Sequence, residues 1–185
     1  NFKLRHICVF SIKKLMKSEK NLVFLGMMGS GKSVIGSLVS KKLNLNFFDI
    51  DLEIEKNLKM KISEIFQERG EKFFRDIEEK ITIKKLKQKN SVISLGGGAF
   101  QNNEIRKNIL SSHLSFWLKW EDETLIKRIK NSRKRPLAFI AKEAELKELM
   151  KMRKKFYEKA IFTIKCDNLS KKEIVKKVIK IYESE

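Results

Sequence analysis

NLVFLGMMGSGKSVIGSLVSKKL, residues 21–43, joins an apolar run to a helical pattern through a glycine-rich loop, and its reading decides the rest of the chain. Within it Gly26, the four residues MMGS, Gly31, Lys32 and Ser33 match the phosphate-binding pattern G-x-x-x-x-G-K-[ST]. Glycines at 26, 29 and 31 let the backbone turn tightly enough to aim several N–H groups at one phosphate, and the helix beginning near Lys32 adds its positive N-terminal end. In such a loop Lys32 reaches the β- and γ-phosphates and the Ser33 hydroxyl ligates Mg²⁺. The pattern is moderately specific by itself, and its place between a buried strand and a helix is the confirming context. A nucleoside triphosphate and magnesium are the expected ligands.

Outward from this stretch, short apolar runs recur with helical patterns between them. NLVFL (21–25), NFFDI (46–50), SVISL (91–95), LSFWL (114–118) and IFTIK (161–165) lack a strict polar alternation, so each reads as a strand buried on both faces. Helices are predicted over 33–43, over 63–88 with a break near Gly70, over 122–131, over 142–160 and over 170–185. Ser63 is placed to cap one helix, and Ser170 with Glu173 forms a capping box for the last. Strand and helix in alternation predict an α/β doubly wound parallel sheet.

The chain's 185 residues suffice for one sizeable core and are too few for two comfortable domains. Residues 1–18 form a basic leader with a short apolar patch, ICVF, and are set apart from a single domain over 19–185. A net charge of +19 is compatible with a polyanionic partner, but the lysines are spread through the predicted helices and do not form one block, so nucleic-acid binding is not expected. Cys8 and Cys166 lie far apart with no C-x-x-C partner, which suggests neither a zinc site nor a disulfide framework and suits a reducing cytoplasm. No apolar stretch approaches the roughly 20 residues needed to span a bilayer, so no membrane partner is expected.

Three further stretches carry candidate chemistry. In FFDIDLEIE, Asp49 and Asp51 are two positions apart, so an extended segment would point both carboxylates to one side, where one could organise metal-bound water and the other accept a hydroxyl proton. Acidic residues at a strand end also serve as plain helix caps. In GEKFFRDIEEK, Arg75 sits among Phe73, Phe74 and Ile77 with Glu71 and Glu78 in reach, either as a fixed fork for a carboxylate or as an ordinary helix salt bridge. In SLGGGAF, Gly96, Gly97 and Gly98 end a buried strand and leave room for something to approach the backbone.

Together, GMMGSGKS, DID, GEKFFRDIE, GGG, RPL and the Arg153 to Tyr157 spacing resemble the shikimate kinase family in order and approximate spacing from residue 21 to about 182. The resemblance implies a five-stranded parallel sheet of order 2-3-1-4-5 flanked by helices, a mobile lid at about 134–145, and a monomer that uses ATP and Mg²⁺ to phosphorylate the 3-hydroxyl of shikimate. It further implies that Gly29, Ser30, Gly31, Lys32, Ser33 and Val34 hold the nucleotide phosphates, with Arg128 against the adenine. By the same similarity Ser33 and Asp49 serve the metal, Asp51 binds the acceptor hydroxyls as the candidate base, and Lys32 and Arg135 act on the transferred group. Arg75, helped by Arg153 and oriented by Glu78, takes the acceptor carboxylate, and Gly97 and Gly98 line its pocket. Two positions depart from the family pattern: Val34 stands where a threonine is frequent, and Leu95 where a threonine commonly precedes the three glycines, with Ser94 beside it.

Overall fold

The computed structural model describes residues 20–131 and 143–185. The leader, most of the expected lid and Arg135 therefore lie outside the described residues.

Five parallel strands, β1 (Leu22–Leu25), β2 (Asn46–Asp49), β3 (Ser91–Ser94), β4 (Leu114–Lys119) and β5 (Phe162–Lys165), form one sheet in the order β2-β3-β1-β4-β5. The helices among the described residues are α1 (Lys32–Leu43), α2 (Ile50–Leu58), α3 (Ile62–Leu86), α4 (Asn103–Ser112), α5 (Asp122–Lys130), α6 (Glu143–Tyr157) and α7 (Lys171–Tyr182), with a 3₁₀ turn at Ala99–Gln101. The expected strand order is the observed one. Because all strands run the same way, the segments after Leu25, Asp49, Ser94, Lys119 and Lys165 gather at one edge of the sheet. The chain builds to one side of β1 and then to the other, so the glycine loop after β1 sits where the order reverses, the usual ligand crevice of such sheets.

The central strands carry the core. Leu22 to Leu25 and Leu114 to Leu118 are buried, and Phe24, Phe116 and Phe162, paired in register across β1, β4 and β5, stack with ring centroids 5.7 and 5.1 Å apart. Such cross-strand aromatic pairs are the unit of sheet stabilisation. β2 and β5 depart from the expectation of burial on both faces: their positions in the order make them edge strands, and Phe47, Phe48 and Phe162 are half-buried. A run of apolar residues reads alike at an edge and at a centre.

Two local expectations need correction. α2 starts at Ile50, directly on the end of β2, so the segment holding Asp49 and Asp51 is not extended; Asp49 is the cap, its carboxylate accepting from the Leu52 N–H at 3.4 Å, and Asp51 lies in the first helical turn. Ser63 does not cap α3. The helix begins earlier, at Ile62, with Glu64 reaching back to accept from the Lys61 N–H at 2.7 Å. Helix α6 opens at Glu143, in keeping with the helix expected over 142–160, and takes in 143–145 at the end of the expected lid range. The break at Gly70 is present as a residue with φ 78° and ψ 170° inside α3, and the Ser170–Glu173 capping box is present at α7. Helices α2 and α4 were not among those expected. α4 nonetheless carries a readable signal, since Asn102 accepts from the N–H groups of Glu104 and Ile105 while Ile105 and Ile109 recur four apart on the buried side.

Candidate active site

The glycine loop turns as its sequence requires, with Gly26, Gly29 and Gly31 all at positive φ. Lys32 opens α1 and is buried, its Nζ donating to the carbonyls of Gly26 at 2.9 Å and Met27 at 3.1 Å. The ammonium is thereby held over the hollow of the loop. Ser33 and Val34 follow on the exposed side of the helix, while the Ser30 hydroxyl is buried without a hydrogen-bond partner among the described residues.

The three glycines after β3 form the second wall, and what touches them explains their lack of side chains. A Cβ at Gly96 would collide with the Glu78 carboxylate and stand 2.9 Å from Asp51 Oδ1. One at Gly97 would stand 3.0 Å from Arg153 Nη1, and one at Gly98 would stand 2.6 Å from Arg75 Nη1. Four charged side chains from α2, α3 and α6 thus converge on three successive α-carbons. The close approach expected at all three glycines is present, and it is closest at Gly96, which the family resemblance did not place in the acceptor pocket.

Arg75 is held from both sides. Its Nη1 donates to Glu78 Oε2 at 2.7 Å, and its Nε and Nη2 donate to Glu71 Oε1 at 3.2 and 2.9 Å. Burial would lower its pKa, but the Glu78 and Glu71 carboxylates outweigh that and hold it above the ordinary arginine value. The helix salt bridge read from sequence is present as the i,i+4 pair with Glu71, and with the Glu78 contact it fixes the orientation of the guanidinium. Arg153 is 8% exposed, its Nη1 3.6 Å from Met27 Sδ and its Nε buried without a partner among the described residues; desolvation pulls it below the usual arginine value, though a guanidinium stays charged throughout the working range. Tyr157, one turn on, donates to the Gly97 carbonyl at 2.5 Å. Burial pushes its phenol up to about 12, so it remains a neutral donor that ties α6 to the glycine run.

Glu78 is 2% exposed, and its Oε1 has no hydrogen-bond partner among the described residues. Burial raises its pKa, and although Arg75 pulls the other way, the salt bridge reaches only Oε2. A carboxyl with a raised folded-state pKa holds its proton more tightly in the folded chain than in the unfolded one. The stability it confers is fully present below the unfolded value and is lost as pH rises through the folded value. The Tm of the parent should therefore fall relative to that of Glu78→Gln as pH is taken from about 4 to about 7. A parent that gains on the variant over this range would contradict the assignment.

Across the loop from the charged cluster, a cavity of about 280 Å³ lies beside Gly29, Ser30 and Gly31 and is bounded by Trp120, Arg128 and Leu169. The Arg128 guanidinium lies over the Trp120 ring, 3.7 Å from its centroid. Trp120 was not anticipated from sequence. Its signal was its place immediately after β4, at the sheet edge where parallel sheets bind ligands.

A family model for shikimate kinase matches residues 28–183. The chain belongs to the shikimate kinase family. It is 41% identical over 165 residues to the shikimate kinase of Thermodesulfovibrio yellowstonii, covering 89% of this chain and 95% of that one. Its structure is similar to that of the Acinetobacter baumannii shikimate kinase in complex with shikimate, with a TM-score of 0.85 at 27% identity, covering 93% of this chain and 97% of that one. Likeness to a gluconokinase from Sinorhizobium meliloti, with a TM-score of 0.60 at 13% identity over 91% and 94% of the two chains, is a likeness of fold. As in other shikimate kinases, ATP is the phosphoryl donor expected of this fold and family.

Proposed function

We propose that this chain transfers the γ-phosphoryl group of ATP to the 3-hydroxyl of shikimate, giving shikimate 3-phosphate and ADP for aromatic amino-acid biosynthesis. The observation that carries the reading is the convergence of Asp51, Arg75, Glu78 and Arg153 on Gly96–Gly98, beside the phosphate-binding loop. An acceptor for such a wall needs a carboxylate for two guanidiniums and a hydroxyl for a carboxylate. Shikimate carries both.

In this reading Arg75, fixed by Glu78 and Glu71, and Arg153, fixed through Tyr157, hold the acceptor carboxylate and so set which hydroxyl faces Asp51. Asp51 accepts the hydroxyl proton as the new O–P bond forms and the bond to the departing ADP breaks. Lys32, released from the Gly26 and Met27 carbonyls, bears on the charge developing on the transferred group. Arg135 is assigned to the same task and Arg128 to the adenine. The Ser33 hydroxyl, exposed in the first turn of α1, and the Asp49 carboxylate, at the end of β2, are hard oxygen donors of the kind that suits Mg²⁺, and they are proposed to hold it and its waters. When bound, that ion would offset phosphate charge. Val34 is exposed and leaves this donor set intact, and Ser94 is buried in β3 next to Leu95.

The protein is proposed to act as a cytoplasmic monomer, its +19 charge drawing anionic substrates and not nucleic acid. Among the described residues no helix is long and apolar enough to cross a membrane. The test is ADP release with Mg-ATP, alone and with shikimate, gluconate, AMP or DNA added singly. Stimulation by shikimate alone is the expected result. Equal or greater stimulation by another acceptor would reassign the site.

A further inference from the structure

The segment after β4 does more than border the crevice. Trp120 is 9% exposed, and its indole Nε1–H donates to the carbonyl of Ser30, inside the glycine loop, at 2.9 Å. The Arg128 guanidinium, carried one and a half turns into α5, rests over the face of the same ring at 3.7 Å. Gly29 closes the arrangement from the loop side, since a Cβ there would lie 3.3 Å from Ile129 and 3.8 Å from the Arg128 Cβ. One side chain therefore ties the phosphate loop to α5 by its edge and seats a cation by its face. Loop, ring and cation border the same 280 Å³ cavity.

We propose that Trp120 is the positioning residue of the nucleotide site: its N–H pins the phosphate loop through the Ser30 carbonyl, and its ring holds Arg128 at the cavity wall where a nucleobase docks. This rests on the reading of the loop as an ATP site. The physical case is that a glycine loop is entropically costly to order, and a buried donor on its carbonyl pre-orders it before phosphate arrives. A guanidinium held by cation–π contact likewise loses its rotamer freedom in advance of stacking on a base. Among the described residues Trp120 reaches the phosphate loop through the Ser30 carbonyl and the cavity through Arg128. The acceptor wall at Gly96–Gly98 is built by side chains from other helices, α2, α3 and α6, so the effect of changing Trp120 should fall mainly on ATP.

The proposal is tested on the full chain with Trp120→Phe, which keeps a ring face and removes the N–H, and Trp120→Leu, which removes both. ATP affinity, read by calorimetry, should weaken about tenfold in the Phe variant and further in the Leu variant, the size expected when a buried carbonyl loses its donor. The KM for shikimate should stay within about twofold, a split that loss of general fold support would not produce. ATP should also change the parent's tryptophan emission, shikimate should not, and Trp120→Phe should abolish the change although Trp117 remains. If Trp120→Phe does not fold, Trp117→Phe leaves Trp120 as the sole indole and should keep the ATP-linked change. Unaltered ATP affinity in both Trp120 variants, equal losses for ATP and shikimate, or an ATP-silent Trp120 emission would each overturn the proposal. Absence of any ATP binding by the parent is a different result and would sink the reading of the loop itself.

Discussion

Asp51→Asn should lower kcat by about 10²–10⁴-fold, the range a positioned general base supplies, while ATP affinity stays within about twofold. Asparagine preserves the size of the side chain at the first turn of α2 and leaves the Asp49 cap untouched, so the change removes proton acceptance with little disturbance of shape. It also removes one of the two carboxylates that face each other across Gly96, where the Asp51 charge contributes to the raised pKa of Glu78. Removing it should bring the Glu78 pKa down, so the loss of Tm relative to a Glu78→Gln partner should become smaller and be complete at a lower pH. Rapid-quench and steady-state turnover with Mg-ATP and shikimate measure the first effect. A kcat unchanged by the substitution would take Asp51 out of the base role.

Arg75→Ala should raise the KM for shikimate by about 100-fold and leave the KM for ATP nearly unchanged, because a charged, bidentate contact is worth a few kcal/mol and 1.36 kcal/mol is tenfold. The same change leaves Glu78 buried with its principal cation gone, so it should also cost about 2 kcal/mol of stability, below the roughly 3–5 kcal/mol for a fully buried pair because Arg75 itself is 32% exposed. Arg75→Lys separates the two effects. It keeps a cation for Glu78 and removes the fork, so it should restore much of the Tm while shikimate KM stays high. A lysine variant with normal shikimate KM would show that Arg75 supplies charge alone, and an alanine variant with ATP KM raised as much as shikimate KM would show a structural role.

Much of this was legible before any coordinates. The five strands appear within a residue or so of their predicted limits because each is a compact apolar run bounded by polar or glycine residues, and the glycine loop announced itself by spacing. Gly70 was readable as a break because a lone glycine in a long helical pattern is its weakest link. What sequence concealed was mostly what depends on neighbours far along the chain. Edge and centre strands look alike until their order is known, which is why Phe47 and Phe162 were read as fully buried. The glycine run was readable as a place of close approach, but that the Glu78 carboxylate, 18 positions earlier on another element, is what approaches Gly96 was not. Trp120 reads as one more apolar residue after a strand until the Ser30 carbonyl, 90 positions away, is brought to its indole.

The junction of β2 and α2 has no connecting loop: Asp49 ends the strand and caps the helix, and Asp51 follows two residues on. Elsewhere in a protein, gaining or losing a residue between two elements is absorbed by slack in the turn. Here there is none. A single inserted residue would swing Asp51 about 100° around the helix axis and shift it about 1.5 Å along it, away from Gly96. Across the history of such a chain, substitutions can accumulate on the exposed face of α2, but the distance from the strand end to the carboxylate is counted in whole residues and admits no change in length.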